Sequence, residues 1–126
     1  MNRNPYHNIR VLIIDEDRDN LALLAEALLT GGMLVAAETS SMAALHRLDE
    51  IDFDLIITDI ALTCMNGNQL LEEIRRRRVG KIPVIAATAT PYMASRQFNR
   101  TLCKPYTLGD LWKTVRQVLP DHSQKH

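Results

Sequence analysis

Acidic residues bunch at one place in this chain. Asp15, Glu16, Asp17 and Asp19 follow a short apolar run, and a second apolar run ends in Asp59. A third ends in Thr88, and a fourth short run leads into Lys104-Pro105. Carboxylates held together repel, and a hard divalent cation such as Mg²⁺ relieves the repulsion through oxygen ligands. An ammonium and a hydroxyl beside that cation suit an anion. With a carboxylate as nucleophile, the parts make a phosphoryl-transfer site.

That chemistry requires the run ends to meet, so the elements between them matter. Arg10 to Asp15, Asp54 to Asp59 and Ile82 to Thr88 are brief and rich in branched apolar residues, and read as buried strands. Leu34–Thr39 and Arg100–Cys103 read as weaker strands. A helix is expected from Asp19, its N-cap, with Leu21, Leu24, Ala25 and Leu28 on one face and Gly31-Gly32 as its stop. Ser40 or Ser41 opens a second helix carrying Met42, Leu45 and Leu48. Asn68–Arg78 reads as a third, with Leu70, Leu71 and Ile74 inward. Thr107 and Asp110 have capping-box spacing ahead of a last helix with Leu111, Trp112, Val115, Val118 and Leu119, ended by Pro120. Alternating strands and helices predict an α/β domain with a five-stranded parallel sheet of order 2-1-3-4-5, a flavodoxin-like three-layer sandwich. In that order strands one and three are neighbours where the order reverses. Asp15, Glu16 and Asp59 are then expected to converge.

The chain has 126 residues, with 15 Lys+Arg balancing 15 Asp+Glu. That length predicts a single domain over 1–126, with a core from about residue 9 to 119 and a frayed tail over 120–126. Zero net charge argues against binding DNA or an anionic membrane through bulk charge. No apolar run is long enough to span a bilayer, and the first ten residues lack a signal peptide's apolar stretch. Two cysteines are too few for a disulfide framework or a Cys-rich zinc site, so a cytoplasmic location is expected.

The segments Val11–Asp17 (VLIIDED), Asp54–Gly67 (DLIITDIALTCMNG), Pro83–Ala89 (PVIAATA) and Lys104–Tyr106 (KPY) resemble, in order, those of response regulator receiver domains of two-component signalling. The resemblance covers residues 9 to 119 and implies roles residue by residue. Asp59 would be the phosphoacceptor, taking a phosphoryl group from a histidine kinase or phosphotransfer protein. Mg²⁺ would lie between Asp15, Glu16, Asp59 and the backbone carbonyl of Ala61. Thr88 and Lys104 would hold phosphoryl oxygens. The peptide bond before Pro105 would be cis, as it often is in that family. The chain would be a stand-alone receiver acting through an unknown output protein or phosphorelay, a phosphoacceptor with intrinsic autophosphatase capacity rather than an enzyme.

The chain also departs from the family pattern. Glu16 stands where Asp is more frequent, Thr63 where proline is usual, and Asn66 where aspartate is common. Thr101 occupies the position of the switch aromatic, while Tyr106 is expected to pack. Only residues 89–99 remain for the crossover between the last two strands. They contain Pro91 and no helical period, so a fourth helix is expected to be very short, distorted or absent.

Two rival readings follow. A degenerate receiver would act as an interaction module without phosphorylation. A small haloacid-dehalogenase-like phosphatase would use Asp15 as nucleophile and Asp17 as acid/base. Plainer readings apply elsewhere. Arg75–Arg78 reads as a solvated helix end matched to the dipole, with Glu72 and Glu73 in pairing range. Cys64 reads as accessible and Cys103 as a small buried hydrophobe. His7, His46, His122 and His126 read as surface residues, and Met93 and Trp112 as packing residues.

Overall fold

In the computed structural model, residues 6–77 and 81–119 are described. Five strands alternate with helices: β1 (Arg10–Ile14), α1 (Arg18–Thr30), β2 (Leu34–Glu38), α2 (Ser41–Glu50), β3 (Leu55–Thr58), α3 (Gly67–Arg76), β4 (Val84–Thr88), β5 (Arg100–Cys103) and α4 (Leu108–Val118). The sheet is parallel with order β2-β1-β3-β4-β5, as the alternation of elements predicts.

Strands β3 and β4 are buried throughout, and β1 after its first residue. Their side chains alternate between two apolar layers. Leu12, Ile14, Ile56, Val84 and Ala86 pack under α2 and α3. Val11, Ile13, Leu55, Ile57, Ile85 and Ala87 pack under α1 and α4. Each fully buried Ile or Leu contributes about 2 kcal/mol, so the strand ends are anchored by the best-packed part of the molecule. Ile14 pairs with Thr58, which sets Asp15 and Asp59 side by side, one residue past each strand.

Helix ends follow their local chemistry, with some corrections. Asp17, not Asp19, caps α1, accepting from the backbone N–H groups of Asp19 and Asn20. Gly31 and Gly32 stop that helix, and Gly32 takes a left-handed φ of 97°. Ser40 caps α2; Met42, expected inward, is exposed because Ala44, Leu45 and Leu48 form the buried stripe. Asn66 and Gln69 make a capping box for α3, which therefore starts at Gly67. Thr107 and Asp110 make the predicted one for α4. Trp112 stacks on Tyr6 with ring centroids 5.2 Å apart.

The crossover from β4 to β5 holds no α-helix, as expected, only one 3₁₀ turn over Pro91–Met93. Side chains from neighbouring elements secure it instead. The Asn68 amide on α3 donates to the Met93 carbonyl at 2.9 Å and accepts from the Ser95 N–H at 2.8 Å. Asn99 Oδ1 accepts from Val84 N and from Arg75. Phe98 fills the apolar layer under α3. Arg75 is therefore no solvated helix end: its guanidinium reaches the Ile82 carbonyl at 2.7 Å, and burial lowers its pKa. Arg76 and Arg77 do pair with Glu73 at the surface. Met93 is exposed, held by its backbone rather than packed. Cys103 is exposed because only Leu102 of β5 faces the core. The expected frayed tail, Arg78, His122 and His126 lie outside the described residues. Among those described, no helix is long and apolar enough to cross a membrane.

Candidate phosphoryl-transfer site

Asp15, Asp59 and Lys104 arrive at one point from three different strand ends. The Lys104 ammonium lies 2.7 Å from Asp15 Oδ2 and 3.0 Å from Asp59 Oδ2. The side chains are 19%, 10% and 13% exposed, so the pairs form largely out of water. Burial opposes the lysine's charge. Hydrogen bonds and charge from both aspartates outweigh it and hold its pKa above the ordinary value. The other carboxylate oxygens bond to backbone. Asp59 Oδ1 accepts from Ile60 N at 2.6 Å and Ala61 N at 3.3 Å, and Asp15 Oδ1 accepts from Asp17 N at 2.9 Å. Each aspartate thus has one oxygen fixed by the chain and one turned to the shared cation.

Lys104 is aimed by its neighbours. Its N–H bonds to the Thr88 carbonyl at 2.9 Å, extending the β4–β5 ladder by one residue. The Lys104–Pro105 peptide is cis, as expected. Tyr106 packs against the α1/α4 layer, and burial raises its phenol pKa.

Glu16 departs from the expected convergence. Its carboxylate is exposed and turned to the loop after β3, where it accepts from the Thr63 N–H and, at 3.0 Å, from the Thr63 hydroxyl. Two neutral donors there compete with a place beside two like charges. Among the described residues, no three His, Cys, Asp or Glu side chains form a metal-holding group. The remaining donors still fit a small divalent cation. Asp15 and Asp59 already converge on one positive group, and the Ala61 backbone follows Asp59 by two residues. All are hard oxygen donors.

Thr88 sits at the strand end as expected, but it is buried and its hydroxyl is engaged with Thr90 Oγ1 at 3.2 Å and Thr90 N at 3.1 Å. Thr101 is exposed and has no aromatic ring to switch. Asp17 is occupied in capping α1.

One residue escaped the sequence reading. Gly67 opens α3 directly against the backbone of Asp59. A Cβ there would stand 2.3 Å from the Asp59 carbonyl oxygen and 2.7 Å from Ile60 Cα. An Asn-Gly pair is a turn signal in a sequence, but it carries no sign of such a close backbone approach.

A family model described as the response regulator receiver domain matches residues 11–116. The transcriptional regulatory protein TcrA of Mycobacterium tuberculosis is 28% identical over 116 residues, covering 87% of this chain and 46% of TcrA. A 14.6 kDa protein of Leptolyngbya boryana is 31% identical over 114 residues, covering 85% of this chain and 87% of that protein. The chain thus spans less than half of TcrA, and smaller fractions of other regulators and sensors that it matches. The receiver domain of sensor histidine kinase PA1611 from Pseudomonas aeruginosa was solved with a magnesium ion coordinated in its active-site cleft. It superposes with a TM-score of 0.82 at 22% identity, over 90% of this chain and 98% of that one. At that identity the likeness bears on the fold alone. The family match spans every strand end that contributes to the Asp15–Asp59–Lys104 cluster, and this chain belongs to the response regulator receiver domains of two-component systems.

Proposed function

We propose that this chain accepts a phosphoryl group on Asp59 from the phosphohistidine of a histidine kinase or phosphotransfer protein. The reaction is Mg²⁺-dependent and cytoplasmic, and the signal passes on by protein–protein contact or phosphorelay. The observation carrying this reading is the Lys104 ammonium shared between Asp15 and Asp59. Asp59 Oδ2 is the nucleophile, since Oδ1 is held by two backbone N–H groups. It attacks phosphorus as the P–N bond breaks. The bonding pair stays with the leaving imidazole, which takes up a proton. Lys104 then follows the new negative charge, and Thr88 turns from Thr90 to a phosphoryl oxygen. Asp15, Asp59 and the Ala61 carbonyl, joined by Glu16 once it leaves Thr63, would hold Mg²⁺, whose charge would shield the approach of two anions. A groove of about 750 Å³ between α1 and the start of α4 supports a protein donor. Leu23, Leu24, Ala27, Leu108 and Leu111 line it, and it leads to Lys104.

A second reading, an interaction module that is not phosphorylated, is favoured by the exposed Thr101 and the helix-free crossover. The capping role of Asp17 speaks against the phosphatase reading. Intact mass after incubation with a small acyl phosphate and Mg²⁺ tests these together. A phosphoryl adduct that requires Mg²⁺ and vanishes in Asp59→Asn is expected. An adduct lost instead in Asp15→Asn would move the nucleophile to β1. Absence of any adduct with the small donor and with phosphohistidine proteins would favour the interaction module.

A further inference from the structure

Two departures from the family pattern meet in space. Glu16 is one methylene longer than the more frequent aspartate, and Thr63 stands where proline is usual. Their contact uses both donors of Thr63, its N–H and its hydroxyl, one on each oxygen of Glu16. Proline has neither donor, so the contact depends on the residue at 63 as much as on the residue at 16.

The contact grips the loop that follows Asp59. That loop is otherwise shaped by its own short bonds: Leu62 N and Gly67 N to the Ile60 carbonyl, and Met65 N to the Thr63 carbonyl. Ser41 Oγ donates to the Met65 carbonyl at 2.7 Å, and Cys64 sits at a left-handed φ of 70°. Glu16 is the contact from the β1 side, and it falls two residues beyond Ala61.

We propose that Glu16 and Thr63 form a latch between the metal ligands and the loop after β3. With the latch closed, Glu16 is committed to Thr63. For Glu16 to join Asp15 and Asp59 around Mg²⁺, it must leave Thr63, and the loop is released. Metal entry and loop freedom are then coupled, each opposing the latch. The inference rests on the Mg²⁺ reading of the Asp15–Asp59 site.

The test is Mg²⁺ titration by calorimetry on the unphosphorylated chain, with amide exchange at Thr63 read by NMR. Thr63→Val removes one donor at nearly constant shape and is expected to tighten Mg²⁺ about threefold, the size of one exposed hydrogen bond. Thr63→Pro removes both donors and is expected to tighten it further. Thr63→Ser keeps both and should match the wild type. In a Glu16→Gln background, Thr63→Val should leave Mg²⁺ affinity unchanged. The Thr63 amide should be protected without Mg²⁺ and exchange faster with it. Weaker Mg²⁺ binding in Thr63→Val would make the contact a plain support of the loop and overturn the latch. Unchanged binding in Thr63→Val, or Thr63 protection indifferent to Mg²⁺, would overturn it as well. Failure of wild type and every folded variant to bind Mg²⁺ would remove the metal reading itself, and the latch with it.

Discussion

Replacing Lys104 by methionine removes the cation that Asp15 and Asp59 share while nearly keeping the side chain's length. The two facing oxygens lie 2.7 and 3.0 Å from Nζ. They therefore stand no further apart than about 5.7 Å, and without the ammonium their repulsion, about 3 kcal/mol at an effective dielectric constant of about 20, is no longer offset. Water reaches the partly open site and reduces this to about 2 kcal/mol. Urea unfolding at neutral pH should show the midpoint falling by roughly 1 M with the slope unchanged. Adding Asp15→Asn to the variant removes the repulsion and should restore most of the loss. Lys104 sits above its ordinary 10.5, so its contribution is complete below about that pH and fades as pH rises through the folded value. Lys104→Met should lack this alkaline loss. A variant as stable as wild type, or one that Asp15→Asn does not rescue, would refute the assignment of the shared cation as the site's electrostatic centre.

Gly67→Ala forces a methyl group against the Asp59 carbonyl; a loss of more than about 2 kcal/mol, with reduced phosphoryl uptake by intact mass, is expected. Asn68→Ala deletes its two bonds to the crossover and should destabilise by about 1–2 kcal/mol, with faster amide exchange at Ser95 as the local readout. Thr107→Ala removes the cap of α4, and thermal unfolding should register about 1 kcal/mol. The same box holds the Asp110 carboxyl below its ordinary 3.8 through the Thr107 N–H. Its contribution is present above that pH and is lost as pH falls through the folded value, measurable as a gap between wild type and Asp110→Asn that closes in acid.

The strands and their order were legible because a parallel sheet covered on both faces writes each inner strand as an unbroken apolar run. Asp15 and Asp59 were legible for the same reason, each standing where such a run stops, and Lys104 stood out at the end of a weaker run, ahead of Pro105. Glu16 was not, because its direction depends on Thr63, forty-seven residues away. Cys103 was misjudged because β5 is an edge strand: three of its four residues are exposed, and only Leu102 is buried. Asp17 and Asp19 are equally good capping residues by type, and the sequence held nothing to choose between them; the structure shows Asp17 accepting from the Asp19 and Asn20 N–H groups. The missing crossover helix was visible as a shortage of residues, but the Asn68 amide that compensates for it looked like any polar position at the start of α3.

The helix-free crossover also shapes how the chain reaches its fold. Ile85 pairs with Arg100, fifteen residues on, whereas Val11 pairs with Leu55, forty-four residues on. Loop closure is cheapest for the shorter span, so β4 and β5 make the least expensive strand pair in the sheet to form early. A folding nucleus there would contain Thr88 and Lys104 before Asp15 and Asp59 have met. The last half of the chain would then lay down the cationic side of the site, and the first half would close its anionic side onto it.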